Sequence, residues 1–265
     1  MSSELLALAR AAALAAGHEL LERRGGALTV DTKSSATDPV TSADKAAQRA
    51  IASVITAARP GDALTGEEGL RRSGTSGARW IIDPLDGTVN YLYGRDEWAV
   101  SVAVRDASGL VAGVVHAPAL GATYTAVRGQ GAWLGERRLA VRDTADLSTA
   151  IVGTGFSYSA DGRRSQAAVL RRLLPRIADI RRGGSAALDL AAVASGTLDA
   201  FYEDDLEEWD WAAGALLASE AGAVVEPLPG PSGRSGVVAA VPGLRDSLRD
   251  ALAPPPRARV TSLPY

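Results

Sequence analysis

Trp80-Ile81-Ile82-Asp83-Pro84-Leu85-Asp86-Gly87-Thr88-Val89-Asn90-Tyr91 joins an apolar run to two acids on one turn and then to a small-residue helix start. Arg79 to Asp83 reads as a short buried strand that ends at Pro84. The proline turns the chain, so that Asp86 returns to the side of Asp83. Two carboxylates on one turn suit a hard cation that wants oxygen ligands, and the Leu85 carbonyl between them is a further oxygen. Gly87-Thr88 then offers backbone N–H groups where a helix begins and an anion is favoured. Taken singly, each aspartate is more often a helix cap than a ligand. The combination is what points to metal and phosphate.

Working outward, Gly66-Glu67-Glu68-Gly69 places adjacent acids shortly before that strand, where a solvated loop is the ordinary reading. On the other flank, Asp38-Pro39-Val40-Thr41-Ser42-Ala43-Asp44 precedes a helix. Thr41 as N-cap with Asp44 three residues on is a capping-box arrangement, and the same Asp44 carboxylate can stand beside the site. Glu208-Trp209-Asp210-Trp211-Ala212-Ala213-Gly214 opens a mostly apolar helix. Asp210 there complements the helix dipole, yet its tryptophan neighbours imply burial, and a buried carboxylate needs a partner such as a metal ion.

The 265 residues, 46% of them apolar, suffice for one large domain or two joined halves. A formal charge of -3 gives no basic surface for nucleic acid. Without cysteine there is no disulfide, thiolate zinc site or cysteine nucleophile. The two histidines, His18 and His116, are too few and too far apart for a histidine metal site or a Ser-His-Asp triad. The Ala/Leu-rich stretch Leu5 to Gly17 is interrupted by Arg10, follows Glu4 and is shorter than a membrane span, so we expect a cytoplasmic protein with no membrane partner.

Apolar periodicity predicts helices over Ser3 to Arg24 and Ser42 to Ala58, with a polar loop from Asp31 to Pro39 between them. From Trp98 to Val127, Val-rich runs broken by Gly and Pro read as consecutive antiparallel strands. The second half alternates. Strands are expected near Ala150–Val152, Leu198–Tyr202 and Val237–Val241. Helices are expected near Arg164–Leu174, Ala186–Ser195, Asp210–Ala221 and Leu244–Leu252. The chain is therefore mixed α/β, with a soft boundary near Asp143 to Thr149 separating halves 1–145 and 146–265.

DPVTSAD, GEE, WIIDPLDGTVNY, RRGGSAALDLA (181–191) and EWDWAAGALLASEAG occur in this order between residues 38 and 222. In these motifs the chain resembles the inositol monophosphatases. The resemblance implies an α-β-α-β-α sandwich of the sugar-phosphatase type and a Mg²⁺-dependent phosphatase with two or three ions, commonly homodimeric. It assigns metal binding to Glu67, Asp83, the Leu85 carbonyl, Asp86 and Asp210. The attacking water falls to Glu67 and to Thr88 with Asp44 behind it. Phosphate or substrate binding falls to Gly87, Thr88, Ser185 and Glu203, and a mobile loop near the site carries Lys33. The chemistry is coherent, because cations on an all-oxygen set neutralise a phosphate dianion, acidify water and stabilise the departing alkoxide.

Three features depart from the pattern: Tyr91 where Phe is common, the polar stretch Gly94 to Trp98, and the acidic run Glu203-Asp204-Asp205-Leu206-Glu207-Glu208. The run reads as a solvated loop with charges at a helix start. Its alternative is a wall for a cationic substrate. The resemblance thus points first to an inositol or similar polyol phosphate, then to histidinol phosphate, then to fructose 1,6-bisphosphate. A catalytically silent binding relative would have lost a metal carboxylate, and none is lost.

Overall fold

The computed structural model describes residues 2–26, 30–32, 39–229 and 235–253. Helix α1 (Ser2–Arg23) turns Leu5, Ala9, Ala13, Ala16 and Leu20 inward. The ends of the expected polar loop pair as antiparallel β1 (Val30–Thr32) and β2 (Pro39–Thr41). Lys33 lies outside the described residues. Helix α2 (Ser42–Ala58) starts where its capping box dictates: Thr41 and Asp44 satisfy each other's backbone N–H groups.

The first large sheet contains β3 (Ala63–Gly66), β4 (Arg71–Arg72) and β5 (Arg79–Asp86). The short helix α3 (Thr88–Leu92) intervenes before β6 (Ala99–Asp106), β7 (Gly109–Ala117), β8 (Ala122–Val127), β9 (Gly131–Leu134) and β10 (Arg137–Arg138). Its spatial order is β10-β9-β8-β7-β6-β5-β3-β4, antiparallel except where β3 runs parallel to β5. Strand β5 does not stop at Asp83. It continues through Pro84 to Asp86 with a register shift against β6, so the proline occupies an irregularity that needs no donor.

The rest of the chain forms β11 (Ile151–Thr154), α4 (Ala160–Leu173), β12 (Asp179–Arg181), α5 (Ala186–Ala194), β13 (Ala200–Glu203), α6 (Glu208–Glu220), β14 (Val224–Pro229), β15 (Ser235–Ala240) and α7 (Arg245–Leu252). Its sheet order is β12-β11-β13-β15-β14, and β12, β11 and β13 are parallel.

The cores show the layering. Leu20, Ile51 and Ile55 of α1 and α2 pack on Trp80, Ile82, Val100 and Val102 of the first sheet. The other face of that sheet, with Ile81, Ala99, Ala103 and Val115, meets Ala187 and Ala191 of α5 and Ala213 and Leu217 of α6. The opposite sides of the same helices, at Leu190, Val193 and Ala218, meet Phe201, Val237 and Ala239 of the second sheet. Beyond it, Val152, Ala200 and Tyr202 meet Leu173 of α4 and Leu248 and Ala251 of α7. This is the expected α-β-α-β-α sandwich. Small residues in α5 and α6 let one helical layer lie close to two sheets at once. Among the described residues no helix is long and apolar enough to cross a membrane.

Candidate active site

Strand β5 ends at a pocket of about 640 Å³ lined by Glu67, Asp83, Leu85, Asp86, Gly87, Thr88 and Asp210, and by a second wall described below. The geometry of the turn is local. Asp83 Oδ1 accepts the Leu85 N–H at 2.9 Å, which fixes the turn and leaves its other oxygen for the pocket. The Thr88 hydroxyl lies 3.0 Å from the Leu85 carbonyl and 3.2 Å from Asp44 Oδ1. Gly87 has φ +92°, and a Cβ there would come within 3.0 Å of the Glu97 carbonyl and 3.2 Å of the Gly184 carbonyl. Only glycine allows the helix α3 start to sit so close to the loop before α5.

The remaining acids arrive from three other elements. Glu67 follows β3, and its N–H continues the parallel pairing to the Ile82 carbonyl at 3.2 Å. Asp44 is fully buried on α2, with Oδ2 held by the Thr41 N–H at 2.9 Å and the Thr41 hydroxyl at 2.5 Å. Asp210 is the third residue of α6, where its Oδ2 caps the Glu207 N–H at 2.7 Å. Asp86 Oδ2 accepts the Ser185 hydroxyl at 2.6 Å and the Ala187 N–H at 2.7 Å. The Ser185 oxygen also accepts the Leu188 N–H at 3.2 Å. The structure thus sets the Ser185 side chain on Asp86 and the α5 start.

Electrostatics test whether these residues fit a metal. Burial, then the charges of Glu67, Asp86 and Asp210, push the Asp83 carboxyl far up, and it shares a hydrogen bond with Glu67. Burial, then Glu67 and Asp86, does the same to Asp210. Asp86 is raised by burial to about 6, with Ser185, Ala187 and Arg182 opposing. Four carboxylates crowded together, with Asp83, Asp86 and Asp210 pushed toward their protonated forms, are a donor set short of positive charge, and all of it is oxygen. Such a set fits hard divalent cations. Among the described residues no three acids form a ready-made cage.

The second wall comes from the loops after β11 and β13, the C-terminal ends of two parallel strands. Gly155 to Ser159 line it, with Glu203, Asp204, Asp205 and Leu206. Glu203 is pushed up to about 8 by burial and by Asp86 and Asp189. The acidic run is therefore not one solvated loop. Glu207 starts the helix and also lines the pocket, while Glu208 is a helix-start charge as expected and pairs with Arg79 and Arg105. Asp204 and Asp205 face the pocket too, held by Gln166 and Ser157.

Three further residues had been given no site role from the sequence. Arg182 lines the pocket amid the acids. Asp189 is buried on α5 and raised to about 7 by burial and by Asp86. Asn90 donates to the Glu97 carbonyl at 2.6 Å and the Gly183 carbonyl at 2.9 Å, tying α3 to the loop before α5. An aspartate inside the apolar run AALDLAAVA was the one visible signal. The Tyr91 hydroxyl, absent from phenylalanine, donates to the Leu20 carbonyl at 2.7 Å.

The sequence model of the inositol monophosphatase family matches residues 1–251. The chain is 46% identical over 249 residues to the inositol-1-monophosphatase of Mycobacterium leprae, covering 89% of this chain and 84% of that protein. It superimposes on the extragenic suppressor protein suhB of Bartonella henselae with a TM-score of 0.88 at 35% identity, covering 96% of this chain and all of the other. With Mycobacterium tuberculosis SuhB the TM-score is 0.82 at 39% identity, over 95% and 96% of the two chains. The four-carboxylate pocket and the sandwich around it are those of a chain that belongs to the inositol monophosphatase family.

Proposed function

We propose that this protein hydrolyses inositol monophosphate, or a closely similar polyol phosphate, by direct attack of water. The observation that carries the reading is the meeting of Glu67, Asp83, Asp86 and Asp210 in one pocket with the Gly87-Thr88 turn. Family membership makes the protein a phosphoric monoester hydrolase. Two or three Mg²⁺ ions, when bound, supply charge neutralisation, an acidified water and support for the departing alkoxide.

Glu67, Asp83, the Leu85 carbonyl, Asp86 and Asp210 hold the ions in this reading. The Gly87 and Thr88 N–H groups point phosphate oxygens into the turn. The Thr88 hydroxyl donates to Asp44, so its lone pair receives a hydrogen from the attacking water and aims the water oxygen at phosphorus. Glu67 accepts the second water hydrogen. A new P–O bond forms as the ester P–O bond breaks; the water gives up one proton to the Glu67 carboxylate, and a proton from solvent completes the departing alcohol. Glu203 meets a substrate hydroxyl, and Ser185 keeps Asp86 in place. Lys33 belongs to the loop expected near the site. The halves 1–145 and 146–265 divide the work: the first supplies most ligands, the second Asp210 and the substrate wall. We further place the protein in the cytoplasm as a homodimer without nucleic-acid or membrane partners, by analogy with the family.

The pocket-facing Asp204 and Asp205 favour a second reading, an amine-bearing phosphate such as histidinol phosphate, whose ammonium gains from nearby carboxylates. The test is phosphate release from a monoester panel with Mg²⁺ and after exhaustive chelation. Release from inositol 1-phosphate that chelation abolishes is expected. Full activity after chelation would refute the metal mechanism, and a histidinol phosphate preference would install the second reading.

A further inference from the structure

Gln166 lies on α4, only 6% exposed and outside the pocket lining. Its amide spans the two loops of the second wall. Its Oε1 accepts the Ser157 N–H at 2.9 Å, and its Nε2 donates to Asp204 Oδ1. A backbone N–H can only donate, so the amide has one orientation, oxygen to Ser157 and nitrogen to Asp204. Ser157 in turn donates its hydroxyl to Asp205 Oδ2 at 2.8 Å. Arg163 Nη1 holds the Ser157 and Tyr158 carbonyls at 2.9 Å.

These side-chain bonds stand in for backbone ones. Strands β11 and β13 pair only as far as Thr154 opposite Tyr202, after which the loops separate. Among the described residues Asp205 is the one non-glycine residue with positive φ, at 66°. Such a conformation persists where its neighbours hold it. Between the loops sits Glu203, so close to Gly155 that a Cβ there would fall 2.0 Å from its carboxyl. Gln166 makes no hydrogen bond to Glu67, Asp83, Asp86, Thr88 or Asp210. Its reach is confined to the wall that does not carry the hydrolytic residues.

We infer that Gln166 is a specificity-determining positioning residue, which touches no substrate and sets selectivity by clasping the Gly155–Ser159 loop to the Glu203–Leu206 loop, where the alcohol part of the substrate is received. The inference rests on the phosphatase reading above. Substrates with a hydroxylated leaving group depend on the clasp, and those with a featureless one do not.

The experiment compares kcat and KM for inositol 1-phosphate and p-nitrophenyl phosphate, in saturating Mg²⁺, across four proteins. These are the wild type, Gln166→Leu, Gln166→Glu, and Gln166→Glu combined with Asp204→Asn. Gln166→Leu removes both bonds. Gln166→Glu keeps the Ser157 bond and sets a carboxylate against Asp204. The pair restores an amide facing a carboxylate in reversed order, at unchanged net charge. For inositol 1-phosphate, kcat/KM should fall about ten- to a hundredfold in either single variant, chiefly through KM, while p-nitrophenyl phosphate changes by less than about threefold. The pair should recover most of the lost selectivity. Equal losses on both substrates would reveal a merely structural role and overturn the inference, as would an unchanged ratio or a pair without recovery. A wild type that cleaves p-nitrophenyl phosphate with no preference for inositol 1-phosphate would also overturn it while leaving hydrolysis intact. A wild type that cleaves neither would refute the phosphatase reading itself and the inference with it.

Discussion

Glu208→Gln should loosen the protein at the point where α6 meets the first sheet. Arg79 Nη2 donates to the Glu208 carboxylate at 2.7 and 3.1 Å, and Arg105 Nη1 donates at 2.7 Å. Arg79 and Arg105 are directly paired across β5 and β6, so their like charges face each other once the carboxylate is neutral. The side chains are 24% (Glu208), 35% (Arg79) and 39% (Arg105) exposed. Screening at that exposure holds each ion pair to about 0.5–1 kcal/mol. Two pairs and a released repulsion of about 0.2–1 kcal/mol give a loss of about 1.2–3 kcal/mol. For a chain of this size that lowers Tm by about 2–12 °C. The assay is thermal unfolding in chelator at 0.1 M and 1 M salt. The Debye length shortens from about 10 to about 3 Å, so the difference between wild type and variant should shrink. Because Glu208 lies two residues before Asp210, the Mg²⁺ concentration for half-maximal activity should also rise, by about tenfold. A Tm loss below about 1 °C in low salt, or one of equal size at both salts, would refute the electrostatic clamp.

Asp210→Asn should cut turnover by orders of magnitude while leaving the metal-free protein as stable as before or more so, because one buried repulsion is removed and an amide oxygen still caps Glu207; turnover close to wild type would show that α6 carries no ligand. Gly155→Ala pushes a Cβ onto the Glu203 carboxyl and should raise KM for inositol 1-phosphate more than for p-nitrophenyl phosphate; an unchanged KM for both would remove Glu203 from substrate binding. Burial holds His116 below its ordinary pKa, so below about pH 6.5 the unfolded chain binds a proton that the folded one does not. The His116 contribution to stability should therefore fall as pH drops from about 7 toward 5, against the opposite trend of Asp86, Asp189 and Glu203, whose raised carboxyls bind protons in the folded state; His116→Gln should shift the pH slope toward greater stability at about pH 5, and parallel slopes in denaturant unfolding would count against it.

Features encoded by neighbouring residues were legible in the sequence. Helix α2 begins and ends where Thr41, Asp44 and Pro60 say it should, because a capping box involves four consecutive residues. The Asp83–Thr88 turn is equally local. Strand β14 has no counterpart among the expected strands; it contains Pro227 and Pro229, which argue against a strand in general, yet at a sheet edge an absent N–H costs little. Strand β5 was cut short at Pro84 for the same reason, since only the partner strand reveals an irregularity that accommodates proline. The acidic run divided in a way no local rule anticipates. Asp204 takes its partner 38 residues away and Asp205 takes its partner 48 residues away, so charge density alone assigned both to water. Asp189 escaped for a related reason, because its burial is set by the layer on which α5 packs.

The shared helical layer also has a consequence for synthesis. Strand β7 is complete at Ala117, but the helices that cover Ile81, Ala99, Ala103 and Val115 begin only at Ala186 (α5) and Glu208 (α6). The ribosome needs roughly seventy more residues to reach the first of them, about 3–14 s at ordinary elongation rates. During that interval the nascent sheet has an apolar face with nothing against it, while its other face is already served by α1 and α2. A nascent chain stalled between residues 127 and 186 should therefore bind hydrophobic chaperones and lose that affinity once α5 and α6 emerge. Sheet strands with Ala at positions 99, 103, 117 and 126 keep the waiting surface shallow.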